Sequence, residues 1–208
     1  MRLKGIVLLV SCVSFGLGVP LQRTGAETIM KNSTTYFSVG GKTADDLDRE
    51  LVRSGPVSRV TGKRHPGATQ IKFTGAATFV EKKGRCYIGG AKVKLITKVM
   101  LPRWKNRAGA TKIMGLIWDT MSSDIKRHEL RHVEIARNNA KKLEKEILAL
   151  GPLSNCDRLK GLVSKISQKA MAEHDREQRQ FDRSESANYE KRMIRLLEYR
   201  KQARASGH

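Results

Sequence analysis

The sequence predicts an α+β domain in which a small antiparallel sheet packs on helices. Alternating apolar and polar residues, with glycine clusters between them, are confined to roughly the first hundred residues. Apolar residues at helical spacing dominate the rest of the chain. Because strands and helices are segregated rather than alternating, a doubly wound parallel sheet is disfavoured. The length suits a single domain over residues 27–208.

The first half carries the strand signals and one short helix. Residues 34–39 are strand-like, and Thr43 is a suitable N-cap for an amphipathic helix that Gly55-Pro56 would end. Two alternating runs follow, 69–80 and 86–100, separated by four charged residues and a glycine. These two runs predict a hairpin, with Gly89-Gly90 as a bulge or bend.

The second half is predicted to be helical. One helix is expected over about 111–120, and a second begins after the capping residues Ser122-Ser123-Asp124. This second helix contains no Gly or Pro until Gly151-Pro152, which is a stop signal. Residues from about 157 to 202 are again mostly helical.

The run His128-Glu129-Leu130-Arg131-His132 reads H-E-x-x-H and lies on the predicted second helix. Residues four apart share one helix face, so both imidazoles can bind one zinc ion. The carboxylate of Glu129 is then placed to take a proton from metal-bound water, and we predict that it is catalytic. The alternative is a solvated helix that carries two histidines by chance.

A catalytic zinc usually has three protein ligands, so one further ligand is needed. His174, Gln178, Asp182 and Glu185 share one face of the predicted last helical region, at spacings of four, four and three. We predict His174 as the third ligand because a neutral imidazole binds zinc strongly. Asp182 and Glu185 are the alternatives, either as ligands or as acceptors of a ring N–H from a ligating histidine.

The N-terminus resembles an export signal, predicted over residues 1–26. Arg2 and Lys4 give a positive start, residues 6–19 are apolar, and Thr24-Gly25-Ala26 offers small residues for cleavage. We therefore expect an exported protein, periplasmic or secreted. Leu9-Val10-Ser11-Cys12 resembles a lipobox, which gives lipid anchoring through Cys12 as an alternative.

Two cysteines, Cys86 and Cys156, remain after the predicted signal. In an oxidising compartment they most simply form one disulfide that encloses the motif helix. The alternatives are a pair of free thiols and, less favoured because oxidation competes, zinc ligation by cysteine.

The formal net charge of +21 favours anionic partners, although a cationic surface of an envelope protein without a specific partner is the simpler interpretation and the one we prefer. Aromatic residues make up only 5% of the chain and no nucleic-acid motif is present, so specific nucleic-acid binding is not expected. Anionic envelope polymers and lipid head groups are the expected partners, beside a peptide or protein substrate.

Several motifs occur together in an order that is typical of one family: the strand to Val39, the Thr43 helix, Ser54-Gly55-Pro56, Cys86, Leu101-Pro102-Arg103-Trp104, H-E-x-x-H and Cys156. The chain resembles a bacterial family of domains of unknown function described as predicted secreted zinc-dependent proteases. The resemblance implies a zincin-like fold with an H-E-x-x-H active-site helix. Many members end in Tyr-Asp-x-x-Thr-x-His-Gly. Here Phe181–Ala187 stands at that place, with the Asp matched by Asp182 and without the His-Gly pair.

The predicted function is an exported zinc-dependent metallopeptidase, a hydrolase of peptide or amide bonds that uses Glu129 to activate zinc-bound water. The alternative is a non-enzymatic cationic envelope protein that binds anionic polymers or a membrane surface. In that case residues 189–203 would form a basic amphipathic helix for the anionic partner.

Overall fold

The computed structural model describes residues 28–57 and 62–206, which form a three-stranded sheet and four α-helices. The predicted signal peptide, its cleavage site and Cys12 lie outside these residues. In chain order the elements are β1 (Ile29–Val39), α1 (Ala44–Ser54), β2 (Ala68–Lys82), β3 (Arg85–Trp104), a short 3-10 turn (Arg107–Gly109), α2 (Lys112–Leu148), α3 (Cys156–Ala187) and α4 (Tyr189–Ala205).

The sheet is mixed, with strand order β1-β3-β2. Strands β2 and β3 form the predicted hairpin. Its two-residue loop, Lys83-Gly84, has positive φ at both residues, as a type I′ turn requires. The register shifts after Thr78, opposite the predicted bulge at Gly89-Gly90. Strand β1, however, pairs with β3 in parallel, so the prediction of an antiparallel sheet is wrong for this strand. The chain passes through α1 and β2 before β3, and this long connection allows the two strands to run in the same direction.

Alternation along β3 divides the sheet into a helix-facing side and an uncovered side. The odd-numbered residues Ala91, Val93 and Leu95 are buried, and they form the main core with residues of α2 and α3. The helical residues of this core are Ala136, Ala140, Leu143, Ile147, Val163 and Ala170. Because the helices cover one side only, the other side of the sheet is left facing solvent.

Helix α2 is continuous over 37 residues, and the predicted break at Ser122-Ser123-Asp124 is wrong. Its N-cap is Thr111, whose side chain accepts from the Met114 N–H. Within the helix the Ser123 hydroxyl donates to the Asp119 carbonyl, four residues earlier. The Asp124 carboxylate forms ion pairs with Arg127 and Arg192. Residues that are suitable caps therefore find other partners inside a single long helix.

The predicted cysteine pair is brought together as a disulfide that ties the first turn of α3 to the start of β3. The Cα atoms of Cys86 and Cys156 are 5.0 Å apart. The backbone of Cys86 also exchanges two hydrogen bonds with Leu153, just before α3. A disulfide that closes a 70-residue separation stabilises the fold by about 4 kcal/mol in the chain-entropy model. None of the helices in the described part of the chain combines the length and apolar character that a membrane crossing requires.

Candidate metal centre

Helices α2 and α3 run antiparallel, and their contacts bring the polar face of α3 onto the H-E-x-x-H motif. The Lys142 ammonium lies 2.9 Å from Glu173 at one end of the contact. At the other end Arg127 forms an ion pair with Glu185. The four α3 residues predicted to share a face therefore lie along the side of α2 that carries His128 and His132.

Three side chains converge between these helices. The Nε2 atoms of His128 and His132 are 3.1 Å apart. The Oδ1 atom of Asp182 lies 3.0 Å from His132 Nε2 and 3.4 Å from His128 Nε2. Within the described residues this is the only group of three or more His, Cys, Asp or Glu side chains whose donor atoms are close enough to share a metal ion.

The Nδ1 nitrogens of both imidazoles face side chains of α3. The Nδ1–H of His132 donates to Gln178 Oε1, and His128 Nδ1 lies 3.7 Å from Glu185 Oε2, beyond hydrogen-bond distance. In the neutral His132 ring the bond to Gln178 favours the tautomer whose Nε2 is free to bind a metal. Phe181 packs against both rings, with centroid distances of 4.9 Å to His128 and 5.1 Å to His132. Side chains of α3 therefore hold both imidazole rings in place.

His174, the predicted third ligand, does not join this cluster. It is buried, with 6% of its surface exposed, and its Nε2 accepts from Gln178 Nε2 at 2.9 Å. Gln178 therefore stands between His174 and His132 as a hydrogen-bonded bridge. Burial lowers the pKa of His174 below its ordinary value, which keeps the ring neutral and able to accept this bond.

Asp182 and His132 influence each other's protonation. Burial acts to raise the pKa of Asp182, but hydrogen bonds with His128 and His132 outweigh it and hold that pKa well below its usual range. Burial acts to lower the pKa of His132, but hydrogen bonds with Asp182 and Gln178 raise it above its ordinary value. Without a metal, the Asp182 carboxylate therefore stays ionised and pairs with His132, whose imidazole binds a proton more readily than usual.

Glu129 lies beneath the start of β2, with only 5% of its surface exposed. The Thr69 hydroxyl donates to Glu129 Oε2 at 2.7 Å, and the Gly67 backbone packs directly on the carboxylate. Burial raises the pKa of Glu129, and the bond from Thr69 offsets part of this rise. The carboxyl is therefore a desolvated group that is held in one position.

Gly67, Thr69 and Phe181 were not predicted as parts of the site. Phe181 precedes Asp182 in the chain, so its closeness to the histidines could have been inferred once Asp182 was placed. Thr69 lies 60 residues from Glu129 in sequence, and no local pattern connects them.

Comparison with family models matches residues 34–189 to the family described as "Bacterial protein of unknown function (DUF922)". This description agrees with the bacterial, unknown-function part of the resemblance seen in the sequence, and it names no protease activity. Comparison with curated proteins gives no match. Comparison with solved structures gives none either.

Proposed function

Because this chain belongs to the DUF922 family of bacterial proteins of unknown function, its activity has to be inferred from its own site, and we propose that it is a zinc-dependent metallopeptidase. The observation that carries the proposal is the set of three separations among His128, His132 and Asp182. Zinc held at about 2.0–2.2 Å from tetrahedral ligands places those ligands about 3.3 Å apart. The observed separations are 3.1, 3.0 and 3.4 Å.

The donor set fits zinc chemically. Two neutral imidazoles and one carboxylate are ligands that a catalytic zinc site commonly uses, with a fourth position left for water or substrate. In this proposal Asp182 is the third ligand in place of His174, and Glu185 lies beside the His128 ring with its Oε2 3.7 Å from Nδ1. When bound, zinc would supply a Lewis acid and a water of lowered pKa.

Glu129 is the residue that would move protons in this site. A buried carboxylate with a raised pKa is a stronger base than one in water, and the hydroxyl of Thr69 fixes one of its oxygens. We infer that the free oxygen accepts a proton from the attacking water and passes it to the leaving nitrogen. Peptide and other amide bonds are the substrate class whose leaving nitrogen needs this proton.

Proposals about export and about partners other than the substrate follow from the sequence. We propose that the chain is exported, to the periplasm or beyond, with residues 1–26 as signal and with Cys12 as lipid anchor if the lipobox is used. Anionic envelope polymers or lipid head groups are the proposed non-substrate partners, in keeping with the net charge of +21. The second candidate function is a cationic binding protein without catalysis. It is favoured by five lysines on the side of the sheet opposite the helices, Lys31, Lys72, Lys92, Lys94 and Lys98.

The test compares metal content and casein hydrolysis in the purified mature chain and three variants. Wild type is expected to hold about one zinc and to hydrolyse casein, whereas Glu129→Gln keeps the zinc and loses hydrolysis. Asp182→Ala is expected to lose zinc, and His174→Ala to retain it, because only Asp182 lies within reach of both imidazoles.

Each alternative result has a definite meaning. A wild-type chain that binds no zinc would overturn the metal proposal. Zinc binding without hydrolysis of casein or of a peptide library would favour the binding function. Loss of zinc in His174→Ala together with retention in Asp182→Ala would restore His174 as the ligand.

A further inference from the structure

The outer edge of β1 is a long strand edge without a partner. β1 stands at one end of the strand order β1-β3-β2, and it pairs with β3 along its whole length from Ile29 to Val39. Among residues 28–57 and 62–206, no strand and no isolated bridge pairs with its other side. The backbone N–H and C=O groups of alternate residues in β1 therefore point outward, where they can pair with an added strand.

β1 lacks the features that usually protect such an edge. Native edge strands are commonly short, or they carry a proline, a bulge or several charges. β1 contains no proline, its register with β3 is continuous, and Lys31 is its only charged residue. Residues 29–36 are all exposed. By contrast β2, at the other edge of the sheet, has a register shift after Thr78 and carries both lysine and glutamate. The β1 edge is therefore well suited to receive a strand.

The charge around this edge favours one class of partner. β1 and β3 contain lysine and arginine but no aspartate or glutamate. Lys31 of β1 and Lys94 and Lys98 of β3 share the uncovered side of the sheet, and none of the three has an ion pair within the described residues. A second copy of the chain would bring another net charge of +21 to this edge, which opposes self-association. An acidic partner is attracted instead.

We propose that the outer edge of β1 binds an extended acidic segment of a partner protein by strand addition. An added strand lies about 4.8 Å from β1 and about 10 Å from β3. Acidic side chains at its alternate positions then lie beside Lys31, and the long side chains of Lys94 and Lys98 can extend toward them. Backbone hydrogen bonds provide affinity for any extended chain, and the lysines select one with alternating acidic residues.

This edge is separate from the candidate metal centre. Glu129 lies beneath the start of β2, where Thr69 donates to it, and β3 lies between β2 and β1. A segment on the outer edge of β1 is therefore held at the opposite edge of the sheet from Glu129. Binding there goes beyond the proposed hydrolysis and does not depend on it.

The test measures binding of a fluorescent peptide of alternating threonine and glutamate that is as long as β1. The purified chain carries Glu129→Gln, so that the peptide is not cleaved. We expect the alternating peptide to bind at least about tenfold more tightly than one of the same composition with its glutamates in one block, because alternation places every glutamate on one side of the added strand. Equal affinities for the two peptides overturn the proposal.

Charge reversal at the edge tests the role of the lysines. Lys31→Glu should weaken binding of the alternating peptide by about tenfold or more, because it replaces an attraction with a repulsion. Lys165→Glu, an exposed position on α3, changes the net charge equally and should alter the affinity by less than about twofold. Equal effects of the two substitutions overturn the proposal, since binding would then follow net charge alone.

Amide hydrogen exchange locates the contact. Binding should slow exchange at alternate residues between 29 and 39, because only every second N–H of β1 faces outward. Protection on β2 instead, or no change on β1, overturns the proposal. Outward amides that are already protected in the free chain would overturn it too, since a second copy or another part of the chain would then occupy the edge. The affinity should be the same with and without zinc, so this proposal and the metal proposal can fail separately.

Discussion

At the residue scale, the position of Glu129 depends on the absence of a side chain at Gly67. A Cβ atom at Gly67 would lie 2.9 Å from Glu129 Oε1 and 2.8 Å from Ile125 Cγ2. Both separations are shorter than carbon atoms tolerate, and Glu129 is already held on its other oxygen by Thr69. The backbone at Gly67 therefore acts as a close wall that sets where the carboxylate can lie.

Gly67→Ala is expected to retain zinc while hydrolysis falls at least about tenfold, because Glu129 must move away from the added methyl group. The fall would be measured as kcat/KM on a peptide substrate, with zinc content as the second readout. Gly109→Ala is the matched control, since a Cβ there meets no atom within 4 Å. Full activity in Gly67→Ala would contradict the role given to this contact.

Gln178 is expected to tune the zinc affinity without binding zinc. It accepts from the His132 ring and donates to the His132 backbone carbonyl, so one amide holds the ring at Nδ1 while it is itself anchored to the same residue. Gln178→Leu should weaken zinc binding by about 10–100-fold, measured by competition with a chelator. Gln180→Leu, an exposed position on the same helix, should leave the affinity unchanged. Equal affinities in the two variants would show that Gln178 does not orient His132.

The sequence predicted the two histidines and Glu129 because their spacing is a local property of one helix. Asp182 was predicted only as an alternative, since its place depends on how α3 crosses α2. His174 was preferred because imidazole binds zinc strongly. The crossing instead places Gln178 between His174 and His132, with a hydrogen bond to each ring. Local patterns identify which residues are suited to a site, and the helix crossing decides which of them reach it.

At the element scale, α4 is attached to α2 by a buried ion pair. The Asp124 side chain is 5% exposed and Arg192 of α4 is 13% exposed, with Nε 3.1 Å from Asp124 Oδ1. Further along, Arg204 lies 3.4 Å from Asp119. The half-buried stripe of Met193, Leu196 and Leu197 follows the same side of α4 as Arg192. These contacts favour the packing of this helix onto the domain over its use as a membrane-binding segment.

Asp124→Asn is expected to destabilise the fold by about 2 kcal/mol at pH 7, because it removes the more deeply buried of the two carboxylates that pair with Arg127 and Arg192, leaving them only Glu185. Burial acts to raise the pKa of Asp124, but Arg192 and Arg127 lower it below its ordinary value. A lowered pKa contributes stability above the unfolded value of about 3.9 and loses it as pH falls through the folded pKa. The difference between wild type and variant should therefore shrink below about pH 4.

Urea unfolding from pH 7 to pH 2.5 measures this dependence, with Asp157→Asn as control. Asp157 makes an ion pair with Lys160, but its side chain is 92% exposed, so its loss should cost less than about 0.5 kcal/mol. A difference for Asp124→Asn that does not change with pH would contradict the pairing.

The helices and the hairpin follow from local signals, whereas two features of the elements do not. Caps such as Thr43 and Thr111 mark real helix starts, but Ser122-Ser123-Asp124 has the same composition inside α2. Only the partner Arg192, 68 residues away, distinguishes Asp124 from a cap. The parallel pairing of β1 with β3 is also set by long-range contacts, because an edge strand has the same alternation in either direction.

At the scale of the whole molecule, the positive charge has a distinct location on the sheet. Lys31, Lys72, Lys92, Lys94 and Lys98 lie on the side of the strands opposite the helices, which we call the open face. No acidic residue of these strands points to that side, and none of the five lysines has an ion pair among the described residues. A flat surface with one sign of charge fits an anionic surface better than a narrow cleft would.

Replacement of Lys31, Lys72 and Lys98 by glutamine, one lysine from each strand, tests whether the open face binds lipid head groups. A lysine near an anionic bilayer contributes about 1 kcal/mol, so the triple variant should bind phosphatidylglycerol vesicles about a hundredfold more weakly at low salt. The control replaces Lys141, Lys145 and Lys165 on the helices, with the same change in net charge. If charge alone governs binding, both variants weaken equally in vesicle sedimentation. If the open face is the contact, only the sheet variant loses binding, and wild type loses it as salt rises because counterions screen the lysines.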